Sequence, residues 1–169
     1  MGVALGRRGL GLVYGGGNVG LMGMLADAAL GHGAEVIGVI PQAMVEKELA
    51  HRGVTELRIV RSMHERKAMM AELAEAFVAL PGGYGTLKEF CEMLTWAQLG
   101  LHNKPCGLLN IEDFYAPFLA QIDHATQTRF IRPEHRALLV VEAQANQLLD
   151  RLHEARPPAL HKWIDRDQA

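Results

Sequence analysis

The sequence predicts an α/β protein built on a doubly wound parallel sheet. Three observations carry this reading. Six short apolar runs punctuate the chain, amphipathic stretches separate most of them, and two glycine clusters each follow directly on a run. Near-continuous hydrophobicity is the mark of strands covered on both faces, and regular β–α alternation is the mark of a parallel sheet. Residues 1–8 read as the end of a helix. The first strand is then Leu10-Gly11-Leu12-Val13-Tyr14, and a helix over 20–32 follows its glycine turn. The run Glu35 to Ile40 gives a second strand and Glu56 to Val60 a third. Ser62 opens the next helix, 63–75, as an N-cap, with Glu65 three residues on in capping-box position. The strand 77–80 leads through Pro81-Gly82-Gly83 into a helix over 86–101. The strand 106–110, a helix over 114–126, the strand 138–141 and a helix over 146–155 complete the alternation, and Pro157-Pro158 stops the last helix.

Composition narrows the function classes. With 169 residues the chain is long enough for one domain with a real core, read here as residues 1–156 followed by a polar tail, 157–169. Formal net charge is −2 and no Lys/Arg run occurs, so nothing favours nucleic acid. No apolar run approaches the ~18–20 residues that a membrane span needs. Cys91 and Cys106 form no metal-binding spacing and suit a reduced compartment as small buried hydrophobes. The eight histidines show no ligand spacing, so no metal is assigned. The expectation is a soluble cytoplasmic protein.

Two strand–glycine–helix junctions carry the chemistry. In Pro81-Gly82-Gly83-Tyr84-Gly85-Thr86-Leu87-Lys88-Glu89 the glycine backbone can approach an anion closely. The first helical N–H groups then point at it without partners. Thr86 is expected at the cap, adding a hydroxyl, and Glu89 one turn in. A carboxylate repels a phosphate, so Glu89 is expected to face another part of the ligand. The second junction, Tyr14-Gly15-Gly16-Gly17-Asn18-Val19-Gly20-Leu21-Met22-Gly23, has the spacing of a dinucleotide turn, a weak signal alone. Its bland alternative is a tight βα turn with close helix–sheet packing at Gly23. Arg66 and Lys67 fall where a helix dipole disfavours cations, and a solvated surface is their bland reading. Along 86–101, Leu87, Phe90, Cys91, Leu94, Ala97 and Leu101 recur at sheet-facing spacing, with Met93 and Trp96 on the other side. A helix apolar on both faces implies a partner there, here a homodimer or larger homo-oligomer, with Trp96 packing under a local loop as the bland alternative.

Together these motifs resemble the LOG ("Lonely Guy") family, cytokinin-activating phosphoribohydrolases long mislabelled as lysine decarboxylases. Pro81 to Glu89 matches the family's Pro-Gly-Gly-x-Gly-Thr-x-x-Glu, Met63-His64-Glu65-Arg66-Lys67 its Met-His-x-Arg-Lys, and Gly15 to Gly23 its Gly-Gly-Gly-x-x-Gly-Leu-Met-Gly. Thr95-Trp96-Ala97-Gln98-Leu99-Gly100 and Lys104-Pro105 also fit. The resemblance implies a Rossmann-like fold. It also implies hydrolysis of the N-glycosidic bond of an N6-substituted AMP, with a nucleotide as the small-molecule partner and no cofactor. The family's catalytic pair falls on Arg66 and Glu89. Its phosphate contacts fall on Gly82, Gly83, Gly85 and Thr86, with Gly16 and Gly17 lining the crevice and Met63 and Lys67 bordering the nucleotide. An opening strand ending in Cys-Gly-Ser-Ser is implied too. This sequence lacks it, and the expectation is that the natural start lies upstream or that the chain is a truncated or partly observed version. At Arg129 the family usually has glycine before Phe-Ile, a change that could alter base selection. A second class, a nucleotide or molybdenum-cofactor carrier of the same fold, would not need the Arg66–Glu89 pair. A decarboxylase would need a pyridoxal-linked lysine, and Lys47, Lys67, Lys88 and Lys104 sit in no recognisable pocket for one.

Overall fold

Among the described residues there are six strands and eight α-helices; the six predicted strands and the predicted helices follow in the expected order, and two four-residue helices, Gln42–Val45 and Pro133–Arg136, are additional. The structure is a computed structural model and describes residues 1–156 except 46 and 48. The predicted tail, 157–169, lies outside the described residues. Hydrogen bonding joins the strands into two parallel three-stranded sheets, ordered β1-β2-β3 and β4-β5-β6. The chain divides correspondingly into two compact units, one ending at Ala74 and the next beginning at Glu75.

In the first unit, β1 (Leu12–Tyr14) pairs with β2 (Val36–Pro41), and β2 with β3 (Glu56–Val60). The central strand holds Val36, Val39 and Ile40 fully buried, as its uncharged sequence requires. Tyr14 and Val36 pack with Ala26, Ala29 and Ala34, most of them on or beside α2 (Leu21–Leu30). At the edge, β3 carries a charged pair, Arg58 Nε donating to Glu56 at 2.8 Å, which protects an open strand from unwanted pairing. That hydrogen bond holds the Glu56 carboxyl below its usual range. The unit also contains α1 (Gly2–Arg7), α3 (Gln42–Val45) and α4 (Met63–Leu73).

In the second unit β5 (Cys106–Leu109) lies between β4 (Phe77–Ala79) and β6 (Leu139–Glu142). All four β5 residues are buried, and Leu148, Leu149 and Leu152 of α8 (Ala145–Glu154) are buried too. Burying each leucine contributes roughly 1.5–3 kcal/mol. Burial pushes the Cys106 thiol up to about 12 and raises Cys91 as well, so both are protonated and inert at neutral pH. The long α5 (Tyr84–Gln98) buries Phe90, Met93 and Ala97. This corrects two sequence expectations. Met93 belongs to the inward stripe, and Leu101, beyond the helix end, is exposed. The helix ends at Gln98, which leaves Leu101 outside it, and its buried stripe runs through Phe90 and its i+3 and i+7 neighbours.

The remaining helices are α6 (Ala116–Gln127) and α7 (Pro133–Arg136). The end of α6 explains the unusual arginine noted in the sequence. Phe130 N donates to Ala125 O at 2.8 Å and Arg129 N to Thr126 O at 3.1 Å. This is a Schellman turn, with Arg129 at the left-handed position, φ 68°. The same pair of bonds closes α1, α2 and α5 around Gly9, Gly33 and Gly100. Only here does a side chain take that place among the described helices. Arg129→Gly is therefore expected to raise stability by about 0.5–1 kcal/mol, left-handed strain relieved less the extra chain entropy of glycine. Chemical denaturation checks this; an unchanged or lower midpoint contradicts it.

Candidate active site

The β1–α2 turn and the start of α4 meet in the first unit. Gly16 turns back with φ 70°, and its α-carbon lies so close to Gly38 of β2 that a Cβ there would stand 2.9 Å from it. Gly23 is close-packed against its own turn: a Cβ would lie 2.6 Å from the Asn18 carbonyl oxygen. Ser62 caps α4, its Oγ accepting from Glu65 N at 3.1 Å. The reciprocal half of the predicted capping box is shifted by one residue, because Glu65 accepts from Arg61 N at 2.9 Å instead of Ser62 N. That bond holds the Glu65 carboxyl below its usual range.

This capped first turn aims Arg66 inward. Arg66 is only 8% exposed, so the solvated-surface reading fails for it, whereas His64 on the same turn is exposed. Its guanidinium lies against Gly15: a Cβ on that glycine would stand 1.9 Å from Nη2. Nη1 donates toward Met63 Sδ at 3.7 Å. Lys67 is half-buried. The first unit thus gathers Gly16, Gly17, Met63 and Arg66 at the carboxyl end of β1, where open α/β sheets bind ligands, with Lys67 next along α4.

The second unit gathers the other set. Gly83 is the N-cap of α5 and supplies no side-chain cap, so the N–H groups of the first turn have no intrahelical partner. Thr86 is not the cap, as the sequence suggested, but the third helical residue. Its Oγ1 lies against Gly82, where a Cβ would stand 2.3 Å away. Gly83 and Gly85 are exposed, Tyr84 is 93% exposed, and Glu89 is half-buried in the second turn. Backbone donors, a hydroxyl and a helix dipole suit an anion, with a carboxylate further along the same helix.

Two further residues shape these loops, Gly15 of the glycine cluster and Tyr115, which the sequence did not single out. Gly15 leaves the room that Arg66 occupies. Tyr115, at 1% exposure, donates its hydroxyl to the carbonyl of Leu80, the residue before the Pro81-Gly82-Gly83 loop. Asn110 Oδ1 in turn accepts from Tyr115 N at 2.7 Å. Tyr115→Phe leaves that carbonyl without its donor and is expected to cost about 1–3 kcal/mol by chemical denaturation; wild-type stability would contradict it.

A cleft of about 310 Å³ lined by Pro105, Leu138, Val140, Arg151 and Arg156 lies at the opposite, amino end of β5 and β6. It touches none of the predicted residues. Among the described residues no group of three His, Cys, Asp or Glu could hold a metal ion. No described helix is long and apolar enough to cross a membrane.

Parallel βα units with glycine-led helices at their strands' carboxyl ends define a Rossmann-like protein. The molybdenum cofactor carrier protein of Chlamydomonas reinhardtii shares this fold, with TM-score 0.65 and 22% identity over 91% of this chain and 84% of that one. The molybdenum cofactor binding protein of Rippkaea orientalis matches with TM-score 0.64 and 20% identity, over 90% and 83%. Within that class, the family model described as "Possible lysine decarboxylase" matches residues 22–152. The cytokinin riboside 5'-monophosphate phosphoribohydrolase of Rhodococcoides fascians is 56% identical over 142 residues, 83% of this chain and 72% of that protein. The enzyme of the same name, LOG, from Oryza sativa subsp. japonica is 50% identical over 157 residues, 93% of this chain and 65% of that protein. The chain belongs to the LOG family.

Proposed function

We propose that the chain is a phosphoribohydrolase that cleaves the N-glycosidic bond of AMP or an N6-substituted AMP, a cytokinin riboside 5'-monophosphate, to free base and ribose 5-phosphate. The observation that carries this reading is the start of α5: a glycine-led, uncapped amino terminus for a phosphate, with Glu89 on the same helix for a second part of the ligand. The names of the relatives at 56% and 50% identity support it. Gly82, Gly83, Gly85 and Thr86 are assigned to the 5'-phosphate, and Gly16, Gly17, Met63 and Lys67 to nucleotide binding. Residues 1–156 act as one nucleotide-binding domain.

The chemistry follows from charge. As the bond from C1' to the base nitrogen breaks, its electron pair leaves with the purine and positive charge develops on the ribose. A carboxylate at Glu89 stabilises that charge and takes a proton from the attacking water, whose oxygen forms the new bond to C1'. Arg66, always charged, meets the negative charge gathering on the departing base.

The carrier reading rests on fold neighbours at 20% and 22% identity, which show architecture and no chemistry. Incubation with N6-isopentenyl-AMP and with its riboside separates the readings. Base release from the monophosphate, at least about 100-fold faster than from the riboside, is expected from losing charge-assisted phosphate contacts. Equal rates would remove the phosphate grip, and no release would remove the enzyme. We place the activity in the cytoplasm and in a homodimer covering Trp96; a monomer by light scattering at micromolar concentration would contradict the latter.

A further inference from the structure

We infer that His51 is a positioning residue for the glycine turn after β1, acting through Asp27; the inference rests on the reading of that turn as a nucleotide contact. Residues 49–51 lie across the turn and are stitched to it. Asn18 N donates to Leu49 O at 2.8 Å, His51 N donates to Gly16 O at 2.8 Å, and Gly17 faces Ala50 in an antiparallel bridge. The carbonyl of Gly16 and the N–H of Asn18 are therefore both set by residues 49–51.

The His51 side chain fixes that segment in turn. The residue is 7% exposed, and its ring makes a bond at each nitrogen. Gly53 N lies 3.1 Å from Nδ1, and Asp27 Oδ1 lies 2.9 Å from Nε2. A backbone N–H can only donate, so Nδ1 accepts, and Nε2 carries the hydrogen and donates to the carboxylate. Asp27 belongs to α2, the helix into which the glycine turn leads. The imidazole thus ties the helix after the turn to the segment across the turn. Turn, helix and overlying segment form a closed circuit, and the ring is its one side-chain link between helix and segment among the hydrogen bonds described here. Opening it leaves Gly16 and Gly17 held by backbone bonds alone. The expected consequence is weaker nucleotide binding with little change in the chemical step, since neither residue of the pair touches the proposed reacting groups.

The test uses the full chain, titrated calorimetrically with AMP and assayed with N6-isopentenyl-AMP. His51→Ala and Asp27→Ala are each expected to weaken AMP binding and raise KM about tenfold, with kcat within about threefold of wild type, the size of one lost part-buried hydrogen bond. The double variant is expected to be no worse than either single one, because the pair acts as a unit. His51→Gln, which keeps a donor for Asp27, is expected to recover most of the binding. Should His51→Ala fail to fold, Asp27→Ala carries the test, since its carboxylate is largely exposed. Wild-type binding of AMP with unchanged affinity in folded variants overturns the inference alone. A fall in kcat without a change in KM also overturns it. A wild-type protein that binds no AMP overturns both the inference and the nucleotide reading beneath it.

Discussion

Gly15→Ala is expected to lower kcat/KM on N6-isopentenyl-AMP by about 100-fold, the effect of moving a reacting group by about an ångström, while leaving the fold largely intact. The added Cβ would stand 1.9 Å from Arg66 Nη2, 2.9 Å from Cζ and 3.3 Å from Nε, so the methyl and the guanidinium cannot coexist. Gly15 is not among the glycines at positive φ, so alanine brings no backbone strain. What must yield is the far end of a side chain, and that end is the charge the proposed reaction uses. Arg66 is buried, so its guanidinium has no solvated position to take up without leaving the site. Stability should therefore fall far less than activity. Adding Arg66→Ala to Gly15→Ala should cost little more, because the first change already displaces the group. Steady-state kinetics beside thermal denaturation measures both; wild-type turnover in a folded Gly15→Ala protein would show that the position of Arg66 is irrelevant.

The second large effect is at Glu89. Glu89→Gln keeps the shape of the side chain and removes its charge and its basicity. Loss of a general base costs about 100- to 10,000-fold in kcat, and loss of a charge facing the developing cation acts in the same direction. KM should change little, since a carboxylate contributes nothing favourable to holding a phosphate. The half-buried position on α5 makes the substitution mild for the fold. Single-turnover measurement of base release isolates the chemical step. A rate within threefold of wild type, roughly the scatter of neutral substitutions, would falsify the assignment.

The fold was legible because its strands are apolar runs. All six predicted runs became strands, Glu56–Val60 with its ends unchanged and the other five trimmed or extended by a residue or two. Helix α3 and helix α7, each four residues, fell below the length at which periodicity has meaning, and so did the 3-10 turn at Ile111–Asp113. The inward face of α5 was misjudged at Met93 because apolar residues lie on both sides of the helix and spacing alone does not say which is covered, and at Leu101 because the helix ends at Gln98. Local parts of the site were equally readable: glycine clusters, the Ser62 cap and the position of Glu89 all depend on neighbours in sequence. Arg66 was named only through the family resemblance, and its burial was not legible, because a polar helix turn looks solvated until Gly15, distant in sequence, is seen to make room for it. Tyr115 and His51 hold the loops through backbone partners contributed by other elements, and no spacing in the sequence records such a bond. The arginine at the end of α6 was visible as an oddity, but its left-handed backbone needed the structure.

The most direct measurement of the account is the fate of N6-isopentenyl-AMP incubated with the wild-type chain, separated and quantified by chromatography. Free base and ribose 5-phosphate should appear in equimolar amounts, with no inorganic phosphate and no riboside. Nucleotide that binds and is recovered intact would contradict the account and make the protein a carrier.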